Sequence, residues 1–552
     1  MSKLTVEEIK RASHGLRGSI PEELAAPIDH FGEESVQLLK FHGVYQQDDR
    51  DARKAARGTG AGRDFSCMIR TKCPGGFLPA DFYLAVDRLT DLFGNESIRV
   101  TTRGALQLHG VRKANLYDVI HDINEHLGST LAACGDVNRN VMATPYPLRR
   151  PDYDAARAAA FAIADALTPR TQAYYEVWHD GTLAHSSQTE PVAEPIYGAA
   201  YLPRKFKIAV TVPGDNSVDL YTNDIGVVPI VAPDGTLEGY DLTVGGGLGM
   251  THGKNATYPR LADEFGFVPA DRLIAAVQAI VIVQRDYGDR TNRKHARLKY
   301  TIDDRGIEWF RGAVEAQAGF TLEPWRALPE WKIPSYHGWA QQGDGKWFYA
   351  LDILTGRIAD NGAVKLKTAL REIVEQTGRN LVATPDQSLL IVDVDDAQRA
   401  TIDAILKANG VRNDADTFAR KALACPALPT CGLALAEAER FLPALLDEVR
   451  AAWRAAGLTD DGVPTIRLTG CPNSCARPAT GEIGIVGMSL NTYIISVGGN
   501  AGATRLNAVY REKVRGEEIA GVLSELFSAY AADRKPGEAF GDFCHRAQPV
   551  LV

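Results

Sequence analysis

The chain repeats itself, and that repeat limits what it can fold into. "FYLAVDRLTDLFG" carries apolar residues at helical spacing, and "SIRVTTRGALQLHGV" reads as two strands about a turn near Arg103 and Gly104. "NLYDVIHDINEHLG" then reads as a helix closed by glycine. The same order returns in "LKTALREIVEQTG", "NLVATPDQSLLIVDV" and "AQRATIDAILKANG". A second echo pairs "YLPRKFKIAV", "NDIGVV" and "GYDLTVGGGLG" with "PTIRLTGCPNSC", "GEIGIVG" and "TYIISVGGN". A small α+β unit and a larger one are each present twice. Such repeats often assemble about a pseudo-twofold axis, with a ligand between the halves.

The repeat predicts an internally duplicated α+β fold, cut as follows. Residues 1–64 are an extended, loop-rich N-terminal arm, 65–131 the first small unit and 132–333 the first large unit. Residues 334–412 are the second small unit and 413–552 the second large unit. No apolar run reaches the ~18 residues that spanning a bilayer needs, and the start lacks the apolar core of a signal peptide. The expectation is a soluble, cytoplasmic protein without membrane contact. A net charge of −8 argues against nucleic acid as a partner.

Eight cysteines are too few for a disulfide scaffold in a chain of 552 residues. Four of them cluster. Cys425 and Cys431 have five residues between them, and Cys471 and Cys475 have three, inside "GCPNSCARP". Structural zinc favours gaps of about two to four residues, which suits the second pair and not the first. A [4Fe–4S] cube accepts wider spacings. Backbone N–H groups near Gly470, Asn473 and Ser474 can offset a free thiol pKa of ~8.5 by hydrogen-bonding sulfur. Spacing alone leaves three readings open: an iron–sulfur cluster, a zinc site, or four reduced core cysteines.

The pattern C-x5-C followed about forty residues later by C-x3-C closely resembles the sirohaem and [4Fe–4S] nitrite/sulfite reductases. "FHGVYQQDDRDAR", "AEPIYGAAYLPRKFK", "LTVGGGLGMTHG", "QRDYGDRTNRKHARLKYT", "TCGLALAEAERFLP", "TGCPNSCARP" and "AFGDFCHRA" all fit, from about residue 12 to the C-terminus. Within the family the likeness is greatest to the haemoprotein component of the NADPH-dependent sulfite enzymes. The resemblance implies the nitrite/sulfite reductase fold, with ferredoxin-like half-domains and two larger sirohaem- and cluster-binding domains. It implies sirohaem and a [4Fe–4S] cluster as cofactors. Cys425, Cys431, Cys471 and Cys475 would hold the cluster, and Cys475 would also be axial to the sirohaem iron.

The implied reaction is assimilatory reduction of sulfite to sulfide, feeding cysteine synthesis. Electrons would come from a partner protein, an NADPH flavoprotein or a ferredoxin, because no flavin or NADPH motif is evident. "VGGGLG" lacks the following helix and the acidic residue of a dinucleotide fingerprint. Its glycines read better as close backbone approach to a large flat cofactor.

Reducing a compact oxyanion asks for fixed positive charge and proton donors. The resemblance carries over Arg70, Arg139, Lys205 and Lys207 as the substrate set. If "KFKIAV" is a strand, the two lysines share a face, repel each other, and give up protons more readily. Arginine keeps its charge and presents a rigid fork to an oxyanion. Around the carboxylates of sirohaem, Arg99, Arg103, Gln107, His109, Arg293, Lys294, Arg297 and Lys299 are the candidate rim contacts. The "ACGD" segment places Cys134 as in ferredoxin-dependent relatives, some of which join this cysteine covalently to a tyrosine. Tyr45 is the matching residue for such a thioether. Cys67, Cys73 and Cys544 read as buried small apolar residues. The rival enzyme is a ferredoxin-dependent nitrite reductase, and the rival outside catalysis is an iron–sulfur electron-transfer or sensor protein.

Overall fold

The computed structural model describes residues 4–57, 62–169, 176–179, 182–186, 194–254 and 256–547, with the backbone alone for 176–179 and 182–186. Both repeats are present as α+β units. The first small sheet runs Val44–Asp48, Phe65–Arg70, Leu106–Val111, Ile98–Val100, Arg357–Ile358. The second runs Gly338–Gln341, Trp347–Leu351, Leu389–Val394, Leu381–Ala383, Phe77–Leu78. Each sheet is completed by a strand from the other copy. Arg357 pairs with Arg99 in the first, and Leu78 with Leu381 in the second.

Two glycines permit this exchange. Gly76 and Gly356 are both left-handed, at φ 79° and 76°. A Cβ on Gly76 would lie 2.1 Å from the Ala383 oxygen, and one on Gly356 would lie 2.4 Å from the Val100 oxygen. No side chain fits either contact. Helices Ala80–Phe93 and Leu366–Thr377 pack together, and Leu89, Val100, Ile373 and Leu389 belong to one core. The small units are therefore one body rather than two separate pieces.

The N-terminal arm differs from its expectation. It holds helices Val6–Ala12, Ile20–Ala25 and Glu33–Leu39, and its strand Val44–Asp48 pairs antiparallel with Phe65–Arg70. Thr5 and Glu8 close a capping box at its start, and Leu38, Phe41 and Val44 are buried. These few apolar residues anchor the segment despite its polar composition. Residues 58–61 of the arm lie outside the described residues.

The large units show the duplication most plainly. One sheet runs Met142–Ala143, Ile208–Val210, Ile225–Val231, Leu237–Val244, Asp263–Pro269. The other runs Ala422–Ala424, Ile466–Thr469, Ile483–Ser489, Thr492–Val497, Ala508–Arg515. In each, the first three strands are parallel and the last two antiparallel. Ile208 and Ile466 open equivalent strands, as do Ile225 and Ile483, and both pairs are 258 residues apart. Helix Leu273–Tyr287 packs on Ile307–Ala318. Among the described residues no helix is long and apolar enough to cross a membrane.

Candidate functional site

Parallel strands Ala422–Ala424 and Ile466–Thr469 end side by side, which brings Cys425 next to the Gly470–Cys475 loop. The Gly470 N–H donates to Cys425 Sγ at 3.3 Å. A Cβ on Gly470 would sit 2.5 Å from the Ala436 oxygen, so glycine is required there. The Leu435 and Ala436 N–H groups donate to the Gly470 carbonyl, which stitches the Cys431 loop to the Cys471 loop. Asn473 Nδ2 donates to Cys471 Sγ at 3.5 Å.

The four sulfurs converge. Burial, then Cys475 with Cys471 and Cys431, holds the Cys425 thiol far above its usual range. Burial and Cys475 push Cys471 up to about 11, and burial raises Cys431 against nearby backbone N–H donors. Each group senses the charge its neighbours would carry. Yet among the described residues no three His, Cys, Asp or Glu side chains are spaced for a single metal ion. Four thiols that influence one another, with gaps of five and three residues, suit an iron–sulfur core. A cationic core reverses the pKa logic and favours the thiolates.

Beside Cys475 lies a crowd of cations. Arg70, Lys205 and Lys207 all sense the Cys475 sulfur. Arg139 joins them because its N–H donates to the Phe206 carbonyl, between the two lysines. The regular strand is shorter than "KFKIAV" and begins at Ile208; Phe206 makes only an isolated bridge to Asn138. The Asp224 carboxylate takes the Lys207 N–H instead of a neighbouring strand. Burial, then Arg139 and Arg297, lowers Lys205 to about 7. Burial, then Lys205 itself, holds Lys207 well below the usual lysine range. Among the described residues neither ammonium has a hydrogen-bond or ion-pair partner. Such a cluster fits an anionic occupant, which would relieve the repulsion.

The rim candidates divide. Arg103 reaches the Asn140 and Ile208 carbonyls and Asn223, leaves its Nε buried without a partner, and is lowered to about 9 by burial and Arg139. Arg293 forks onto Asp136 at 2.7 and 3.0 Å, and one Arg297 N–H donates to Asp224 at 2.6 Å. Lys299 Nζ binds the carbonyls of Gly247 and Gly249. Arg99 holds Glu439 and the Ala424 carbonyl rather than facing outward. Lys294 is exposed. His109 is buried with both ring nitrogens unpartnered, and burial keeps it neutral. The Gln107 amide oxygen, once its assignment is reversed, accepts from Arg70 at 2.6 Å, so Gln107 orients Arg70.

The glycines of "VGGGLG" are explained largely by protein neighbours. A Cβ on Gly246 would meet the Tyr221 oxygen at 2.2 Å, and one on Gly247 the Arg297 guanidinium at 2.5 Å. Only Gly249 keeps an open side, with Asn473 at 3.3 Å.

Tyr45 and Cys134 are neighbours. Arg70 Nη1 lies 3.1 Å from Cys134 Sγ, and its guanidinium lies 5.9 Å from the Tyr45 ring centre. Burial, then Cys134, pushes the Tyr45 phenol up to about 12. Cys67 and Cys73 sit in the small-unit core and Cys544 in the second large-unit core.

Sequence reasoning passed over Arg204, Lys40 and Arg477. Burial and Arg293 bring Arg204 to about 10 and Lys40 to about 8, so both belong to the same cationic crowd. Arg477 is buried against Asp219. Arg204 and Arg477 lie inside the "LPRKFK" and "GCPNSCARP" motifs, where closeness to chosen residues was the available signal.

Known proteins resemble the chain along nearly its whole length. Residues 61–126 match the nitrite/sulfite reductase ferredoxin-like half domain, and residues 158–322 the nitrite and sulphite reductase 4Fe-4S domain. The second match falls on the large unit that carries none of the four clustered cysteines, as expected if the two large units are copies. A sulfite reductase [ferredoxin] of Synechococcus elongatus is 49% identical over 98% of this chain and 89% of its own. A sulfite reductase [NADPH] hemoprotein beta-component of Myxococcus xanthus is 44% identical over 99% of this chain and 96% of its own. The fold matches the NirA protein of Mycobacterium tuberculosis at a TM-score of 0.79, with 24% identity over 99% and 97% of the two chains. The chain belongs to the nitrite/sulfite reductase family.

Proposed function

We propose that the chain is the haemoprotein of an assimilatory sulfite reductase, a cytoplasmic enzyme that reduces sulfite to sulfide. The observation that carries this is one junction: four converging thiols whose exposed member, Cys475, is sensed by a buried and uncompensated cation cluster. Cys425, Cys431, Cys471 and Cys475 would hold the [4Fe–4S] cluster, and Cys475 would also serve the sirohaem. Bound there, the two cofactors would supply the electrons and the iron chemistry of the reduction.

The protein's own groups do the rest. Arg70 and Arg139 orient the oxyanion, Arg70 being fixed by Gln107 and Cys134. Lys205 and Lys207 add charge and deliver protons as oxygen leaves as water; a lysine near pKa 7 gives a proton readily at neutral pH. Arg103 and Lys294 would meet the sirohaem carboxylates, while Arg293, Arg297 and Lys299 brace the loops around them. His109 stays a neutral wall residue. Tyr45 and Cys134 form a thioether between a ring carbon and sulfur. Its formation removes two hydrogens, with dioxygen as the two-electron acceptor.

A partner protein donates the electrons. Ferredoxin is favoured, because the higher identity is to the ferredoxin enzyme and the Cys134 segment is of that type. The test is turnover of sulfite and of nitrite by the purified holoenzyme with reduced dye, reduced ferredoxin, or an NADPH flavoprotein. Faster sulfite turnover with ferredoxin supports the reading, and a preference for nitrite would replace it.

A further inference from the structure

Glu7, Lys10, Asp136, Arg293 and Arg290 form a network that adjoins the cation cluster through Arg293 and Asp136. Lys10 is only 1% exposed. Its ammonium binds the Leu202 carbonyl at 2.8 Å, Glu7 at 2.5 Å and Asp136 at 3.5 Å. Asp136 is the fork of Arg293, whose Nη1 also lies 3.3 Å from the Pro203 carbonyl. Glu7 in turn holds Arg290 at 2.5 Å, and Arg290 reaches the Tyr201 carbonyl at 2.7 Å.

These links join four chain segments at one point. Helix Val6–Ala12 brings Glu7 and Lys10. Asp136 lies in the segment that carries Cys134 and Arg139. Leu202 leads directly into Arg204, Lys205 and Lys207. Arg290 and Arg293 open the stretch that ends in Arg297 and Lys299. The cations of the site repel one another; backbone bonds such as Arg139 N–H to the Phe206 carbonyl tie the 136–139 and 202–206 segments, and Asp224 ties Lys207 to Arg297. The two carboxylates and the buried ammonium add the only charge attraction that joins the N-terminal helix to all three of these segments among the described residues. A lone ammonium buried this deeply is costly unless its acceptors stay in place, so it fixes the spacing of all of them.

We propose that Lys10 is a positioning residue for sulfite binding: its buried ammonium sets the distance between the Arg139, Lys205 and Arg293–Lys299 segments. This rests on Arg139 and Lys205 being the sulfite-binding groups. Displacing a positioned group by about 1 Å can cost as much as 100-fold in rate, so a tenfold effect on binding is within reach.

The test uses holoenzyme with a reduced dye as donor, and reads KM and kcat for sulfite beside the visible spectrum and iron content. Lys10→Met keeps the stem and removes the charge. Its expected result is a KM for sulfite raised by about tenfold or more, with kcat changed less and the spectrum unaltered. Glu7→Gln cuts one link without emptying the buried position, and decides the matter if Lys10→Met does not fold; its KM is expected to rise about threefold. An unchanged KM in either folded variant, or a fall in kcat or iron content at constant KM, overturns the proposal. Lys205→Met separates the two levels. If it raises KM while Lys10→Met does not, the positioning role fails and the site stands. If neither does, the site assignment itself fails.

Discussion

Asp219 and Arg477 occupy equivalent positions in the two large units and form an ion pair with each other. Each precedes a short helical turn, Leu220–Thr222 or Pro478–Thr480, and each is left-handed, at φ 49° and 54°. Arg477 also donates to the carbonyls of Thr102 and Pro385, one in each small-unit turn, at 2.8 and 3.0 Å. Arg467 adds a second fork onto Asp219 at 3.0 Å. One guanidinium thus touches both small units and the opposite large unit. Removing the carboxylate by Asp219→Asn leaves two buried arginines uncompensated. The expected loss is about 3–5 kcal/mol in denaturant unfolding of the apoprotein, and Asp219→Asn combined with Arg477→Met is expected to cost less than the two changes summed.

Each of Cys425→Ser, Cys431→Ser, Cys471→Ser and Cys475→Ser is expected to lower iron and acid-labile sulfide and bleach the visible absorbance. Cys67→Ser and Cys544→Ser, buried in apolar cores, are expected to keep the full iron content. Metal analysis beside the spectrum separates the two groups.

Sulfite affinity is expected to weaken as pH rises past about 7, because Lys205 then loses its proton. A bound anion favours the ammonium, so binding takes up protons and moves this limb upward in the complex. KM for sulfite measured across pH 6 to 9 checks this, and Lys205→Met is expected to flatten the curve.

His42 is half-buried, and desolvation of its ring lowers it to about 4 despite the Leu16 carbonyl 3.2 Å from its Nε2. Its unfolded value is about 6.5, so between the two the unfolded chain holds more protons. Stability from this group is therefore absent below about pH 4 and gained as pH rises to about 6.5, by about 3 kcal/mol. Thermal unfolding of the apoprotein is expected to show a shallower pH slope in that window for His42→Gln than for the unchanged chain.

Intact mass of the purified protein is expected to fall short of the sequence mass by two hydrogens if Tyr45 and Cys134 are joined. Cys134→Ser is expected to restore the full mass, and a freely alkylated Cys134 would rule the bond out.

The repeats were legible because helix and strand periodicity is local, and so were the four cysteines, whose spacing is unusual. The strand exchange was not legible. Phe77–Leu78 and Arg357–Ile358 are two residues each, too short for any alternation to show, and their partners lie far along the chain. The arm was misread because Leu38, Phe41 and Val44 are few among polar residues. The basic rim was legible as charge and not as role. Arg293, Arg297 and Lys299 find Asp136, Asp224 and backbone carbonyls that only the fold brings to them. The offset of 258 residues also shows what the first copy holds in place of two of the thiols. Cys471 and Cys475 answer to Pro213 and Ser217 in the first large unit.

The reciprocal short strands have a further consequence. Since neither small unit owns a whole sheet, a chain severed between residues 333 and 334 gives two fragments that can mature only on each other. The ancestral gene copies, once free to drift apart, are by this lacing bound to a common fate.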